Sequence, residues 1–181
     1  MTLPAHIASG YISIKIANYL NPSLITADGS FMITGIIGAL IPDIDFVFFK
    51  NIKDHHNSIP HSPLFWILVS SILYLLAFLT ENTLLENYVI AFTIGVLVHL
   101  FLDWFSGRTA GIRVFYPFSK KVYSLYPLNP TEGEVSTSLI PNKSHIKFFK
   151  FYAENKFLLY VEILIILAGL GLFILDGYAS Y

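Results

Sequence analysis

The stretch "YVIAFTIGVLVHLFLDWF", residues 88 to 105, decides the fold class. Its 18 residues come close to the ~20 apolar residues that an α-helix needs to cross a bilayer. A helix is the structure that satisfies its own backbone hydrogen bonds in lipid. Within this apolar run stand His99 and Asp103. Four residues apart on a helix, they share one face with Cβ atoms roughly 6 Å apart. That spacing lets two side chains bind one ion, as the histidines of an H-E-x-x-H helix do. Ionisable groups at such depth are costly and face a partner or a cavity. The run therefore reads as a membrane helix that carries chemistry.

Composition extends this reading to the whole chain. Of 181 residues, 55% are hydrophobic and 13% charged, and the mean hydropathy is +0.63, which implies a membrane protein. A net charge of -1 lacks the basic excess that phosphate neutralisation demands, so no nucleic-acid partner is expected. The absence of cysteine excludes disulfides and thiolate metal sites, and any metal must use His, Asp, Glu or water. The N-terminus lacks the basic region of a signal peptide and is read as mature protein. One membrane-embedded domain over residues 1–181 is the expectation, since no repeat or linker divides the chain.

Two further segments are long enough to span: Leu64 to Thr80 with 17 residues and Phe157 to Leu175 with 19. Phe31 to Ile41 is apolar but short, and its Gly35 and Gly38 offer a face for close helix approach. Residues 4 to 20 make another helix, with His6, Ser9, Gly10, Ser13 and Ala17 on a small-residue face. The expected fold is thus an all-α polytopic bundle. It has three full spans, one or two N-terminal short or half-spanning helices, and an irregular segment over residues 106 to 156. Apart from Lys15, every Lys and Arg lies in residues 43 to 63 or 106 to 156. The positive-inside rule makes both segments cytoplasmic.

The ionisable residues then converge. "GALIPDIDF" puts Asp43 and Asp45 two apart where Pro42 ends a helix, so both carboxylates can project to one side. "HHNSIPHS" supplies His55, His56 and His61 just before a span. With His99 and Asp103, these groups return to the cytoplasmic end of the bundle. Plainer readings exist for each. The aspartates can cap a turn, His55 and His56 can be a solvated loop, and His99 can be hydrogen-bonded in a bundle. His6 taken alone needs no explanation, and His145 reads as surface. Glu162 either snorkels or pairs with a basic neighbour. Arg108, Arg113, Lys120 and Lys121 anchor topology, with room for one or two to hold a phosphate.

The ordered set resembles the YdjM-like family of inner-membrane proteins, described as predicted membrane-bound metal-dependent hydrolases. The residues that carry the resemblance are His6, "IPDID", "HNSIPHS", "GVLVHLFLD" and "TAGIRVFYPF", over residues 1 to about 118. Asn57 stands where the family has Arg, and Pro60 where it has Thr. Both changes bear on substrate contacts. A weaker likeness is to the zinc phospholipase C and P1 nuclease group, whose final His-x-x-x-Glu pair is absent here. The resemblance implies a hydrolase with one or two divalent metals at the cytoplasmic interface of the inner membrane. His6, Asp43, Asp45, His56, His61, His99 and Asp103 would be ligands or their immediate neighbours, with Asp45 or Asp103 as general base. The donor set suits Zn first, then Mn or Fe. A membrane lipid, as phospholipid or another phosphoester, is the economical substrate. The alternative is a non-catalytic protein with a structural metal or polar network that recruits a partner. A transporter is disfavoured, because no repeat or polar path through the midplane is visible.

Overall fold

The computed structural model describes residues 1–26, 28–47, 58–106, 112–121, 123, 125 and 156–179, with the side chains of 45–47 and 179 left aside. Among them are five α-helices: α1 Leu3–Leu20, α2 Gly29–Leu40, α3 Pro63–Leu79, α4 Thr83–Ser106 and α5 Lys156–Ala179. Two 3-10 turns, Ile41–Val47 and Ile59–His61, follow α2 and precede α3. No strand occurs among the described residues, which hold one isolated antiparallel bridge, Ile112 with Tyr123.

The starts and stops follow local chemistry. Pro4 lies in the first turn of α1, where a missing N–H is harmless, and Asn21 closes the helix with its N–H on the Ala17 carbonyl. Asp28 caps α2, accepting from the Ser30 and Phe31 amides at 2.9 and 3.1 Å. Hydrogen bonds from the Ser30 hydroxyl, the Phe31 amide and the Thr26 hydroxyl hold its carboxyl down to about 2. A depressed carboxylate stabilises the fold above its unfolded pKa, and the benefit disappears as pH falls through about 2. Asp28→Ala is accordingly expected to cost about 1 kcal/mol near neutral pH. Thermal unfolding in detergent should show the gap to wild type closing between pH 4 and pH 2, and a pH-independent gap would contradict the capping account.

α1 packs against α2, α4 and α5, and α4 against α1, α2 and α3. Glycines set how close these helices come. A Cβ on Gly95 would lie 2.1 Å from the Gly35 carbonyl oxygen, one on Gly38 2.2 Å from the Phe92 carbonyl oxygen, and one on Gly10 2.8 Å from Ala39 Cβ. Backbones thus touch where α1, α2 and α4 cross, as small-residue contacts allow in membranes. Around this crossing lie Ile14, Phe31, Met32 and Ala91, while Trp66, Val96, Leu100 and Ile112 seal α3 to α4.

Directions alternate, so the start of α1, the end of α2, the start of α3, the end of α4 and the start of α5 share one end. α5 runs parallel to α1: the Thr2 amide donates to Glu162 near the start of α5, and Lys15 meets Asp176 near its end at 2.6 Å. Glu162 is buried there, so it neither snorkels nor pairs with Lys or Arg in this contact; it accepts from the amide of Thr2, just ahead of α1.

α4 and α5 are long and apolar enough to cross a membrane. At 1.5 Å per residue, their 24 residues each reach about 36 Å, beyond the ~30 Å hydrocarbon core. α3 ends after 17 residues, where the chain turns at Thr80 and Glu81, so among the described residues two helices reach the length of a full span and α3 is a shorter apolar helix. α2, with 12, is too short to cross alone, as its short apolar run implies. The outer faces of α3 and α5 are apolar: Leu68, Leu79, Leu164 and Phe173 are all about three-fifths or more exposed, which suits lipid rather than water.

Candidate metal centre

At the shared end, Asp43, His61, His99 and Asp103 bring one ligand atom each within 4.8 Å of one another. They come from four places: the turn after α2, the turn before α3, and two successive turns of α4. His99 Nε2 lies 3.0 Å from Asp103 Oδ2 and 3.5 Å from Asp43 Oδ1. His61 Nε2 lies 3.4 Å from Asp43 Oδ1 and 3.7 Å from Asp103 Oδ2. His61, His99 and Asp103 are buried, and the Asp43 side chain is 21% exposed. Asp43 is thus the one member of the four whose side chain reaches the surface.

The orientation of each histidine has a cause. Ala39 is next to last in α2, so its carbonyl has no partner within the helix. His99 Nδ1 donates to that oxygen at 2.7 Å. The donation places a proton on Nδ1 and turns Nε2 towards the carboxylates, the orientation that metal-binding histidines use. Gly95, one turn before His99, lets α4 lie against Gly35 and Ala39 closely enough for this bond. His61 is held by Ser58 Oγ, 3.3 Å from its Nδ1. Its turn is pinned by Trp66 Nε1 donating to the Pro60 carbonyl at 2.6 Å and by Ser62 Oγ donating to the Tyr116 carbonyl.

The donor set fits a divalent cation. His99 Nε2 is buried and makes no hydrogen bond, although a carboxylate oxygen stands 3.0 Å away; the groups converge on a point rather than on each other. Two carboxylate oxygens within 4.8 Å repel by roughly 3 kcal/mol at an effective dielectric of about 20, which a cation between them reverses. Two imidazoles and two carboxylates without thiolate make a site for Zn, Mn or Fe.

His6 sits beside this quartet rather than in it. Its ring stacks on His99 with centroids 3.9 Å apart, and Nε2 is 3.4 Å from Asp103 Oδ1. Neither ring nitrogen has a hydrogen-bond partner among the described residues. The Met1 amine lies 2.6 Å from the same Asp103 oxygen. Asp103 is thereby engaged through both oxygens, one towards the quartet and one towards His6, which counts against it as a free base. Asp45 falls in the 3-10 turn with its side chain outside the described residues, and His56, like His55, Arg108 and His145, lies outside them altogether. Sequence reasoning missed the Ala39 carbonyl, the Ser58 hydroxyl and the Met1 amine. A backbone carbonyl has no sequence signature, and Ser58 is one hydroxyl in a polar loop.

The family model of the YdjM inner membrane protein matches residues 1–178. The chain belongs to the YdjM inner membrane protein family. The match runs past residue 118, where the motif likeness stops, and takes in α5 nearly to its end. No curated protein and no solved structure matches the chain. Membership places the chain in an inner-membrane family, in accord with the apolar faces of α4 and α5, and the quartet gives this family member a site that can hold a metal ion.

Proposed function

We propose that this chain is a membrane-embedded metal-dependent hydrolase with its site at the cytoplasmic face, acting on a phospholipid or another phosphoester. The observation that carries the reading is the buried quartet with one side partly open. A structural site closes all positions, whereas a catalytic one keeps a position for water or substrate. Asp43, with its side chain 21% exposed, marks where that position lies. A divalent cation bound there, Zn by first preference, polarises a phosphoryl or carbonyl oxygen and acidifies a water ligand.

The protein's own groups do the rest. Ala39 and Ser58 orient His99 and His61, and Asp103 supplies charge from inside. Asp45, on the same turn as Asp43, takes the role of general base. α3 serves as the third crossing, its 17 residues reaching about 25 Å with Ser62 and Thr80 at the boundaries. Cytoplasmic orientation rests on Lys50, Lys53 and the basic residues of 106 to 156, which flank the helix ends that carry the site.

Full burial of His61, His99 and Asp103 favours the competing reading, a structural metal in a partner-recruiting protein. Detergent-purified protein loaded with Zn, Mn or Fe separates the two. Hydrolysis of headgroup-labelled phospholipid or of a nitrophenyl phosphodiester is expected for wild type and should fall at least about 100-fold in Asp103→Asn. Bound metal with no turnover on either substrate class would leave the structural reading standing instead.

A further inference from the structure

A groove of about 810 Å³ runs along the side of the bundle away from the quartet, within the ~300–1,000 Å³ usual for small-molecule sites. Its floor is the face of α1 with Pro4, Ala8 and Tyr11, opposite the face that bears His6; α2 and α5 form its walls. The lining is apolar except at one end. There Asp176 accepts from the Tyr11 hydroxyl and pairs with Lys15 at 2.6 Å. Gly29 and Gly177, one on each wall at this end, have no atom within 4 Å of a built Cβ, so nothing blocks the mouth.

The dimensions select an occupant. From Lys156 to Asp176 is 20 residues of helix, a rise of roughly 30 Å, which equals the hydrocarbon thickness. With Lys156 at one boundary, Asp176 stands at the headgroup level of the other. From Lys15 back to Pro4 the groove descends about 16 Å, the depth of one leaflet and half of what a transmembrane helix from another subunit would need. The polar end carries both signs, with the side chains of Lys15 and Asp176 24% and 38% exposed. An ion pair this accessible is weak and exchanges partners readily. Lys15 matches a phosphate and Asp176 an ammonium.

We propose that this groove binds one zwitterionic phospholipid of the phosphatidylethanolamine type from the leaflet opposite the quartet, its headgroup on Lys15 and Asp176 and its acyl chains over α1. The site is independent of the metal-dependent reading. Lipid binding here ties α5 to α1 and α2, where the outer face of α5 has no protein cover among the described residues.

Native mass spectrometry of protein released from nanodiscs holding phosphatidylethanolamine and phosphatidylglycerol tests this, with metal content measured in parallel. Wild type is expected to retain one phosphatidylethanolamine per chain. Gly177→Phe and Ile33→Trp, which fill the groove from opposite walls, and Lys15→Gln should each lower retention about tenfold, equivalent to about 1.4 kcal/mol, with metal content unchanged. Lys15→Arg should keep the lipid, and this pair decides the matter if a groove-filling variant fails to fold. Equal retention in all variants, preference for phosphatidylglycerol, or a dimer that these variants dissociate would overturn the proposal. Loss of metal with lipid retained would count against the quartet alone.

Discussion

His99→Ala is expected to abolish metal retention and, with it, the response of stability to chelation. Both histidines of the quartet approach both carboxylates, but His99 comes nearest, 3.0 Å from Asp103, and is oriented by the backbone of another helix, through Nδ1 on Ala39 at 2.7 Å. Losing an orienting partner of a metal ligand typically costs 10–100-fold in affinity, so losing the ligand itself should cost at least about 100-fold. A cation present at 100 times its dissociation constant stabilises the fold by about 2.7 kcal/mol. Wild type should therefore lose about that much on chelation and regain it when Zn is restored. The variant starts lower, because the Ala39 carbonyl is left unpaired at about 1–3 kcal/mol, but its melting temperature should not move with chelator. This difference separates a metal site from a hydrogen-bonded network, since a network would give the same chelator response, namely none, in both proteins.

Gly95→Ala is expected to destabilise the bundle by at least about 2 kcal/mol, against the sign of helix propensity. In a helix interior alanine is favoured over glycine by about 1 kcal/mol. Here the added Cβ would sit 2.1 Å from the Gly35 carbonyl oxygen and 2.8 Å from the Ala39 amide nitrogen. Both neighbours are backbone, so no rotamer change relieves the overlap; α2 and α4 must separate, and overpacking of this kind costs about 1–3 kcal/mol or more. Separation also withdraws the Ala39 carbonyl from His99, so metal affinity should fall in parallel. Gly171→Ala is the control. Nothing lies within 4 Å of its built Cβ, and it should be neutral or stabilising by up to about 1 kcal/mol. Equal stability of the two variants would refute the close-crossing account.

Much of the fold was legible because membrane helices announce themselves by length and apolarity. α4, α5 and the short α2 all lie where their apolar runs predict. α3 forms over the apolar run that marks it and keeps the 17 residues expected of it, which leaves it shorter than α4 and α5 at 24 each. The ligand pair His99 and Asp103 was legible too, because four residues on a helix define one face. His6 taken alone needs no explanation in sequence and enters the set only through the family resemblance; in the fold it stacks against His99, beside the quartet. Spacing along a chain says nothing about which of two neighbouring imidazoles points its nitrogen at a shared centre.

What the sequence by itself determined is the membrane environment, the helical class and the i, i+4 pairing on α4, since hydropathy and helix periodicity are properties of one segment. What only the tertiary structure decided is the meeting of Asp43 and His61 with that pair, and the carbonyl of Ala39 that turns His99 towards them. Those depend on how near α2 comes to α4. That distance is set by the mutual fit of Gly10, Gly35, Gly38 and Gly95 across three helices, which no single segment encodes.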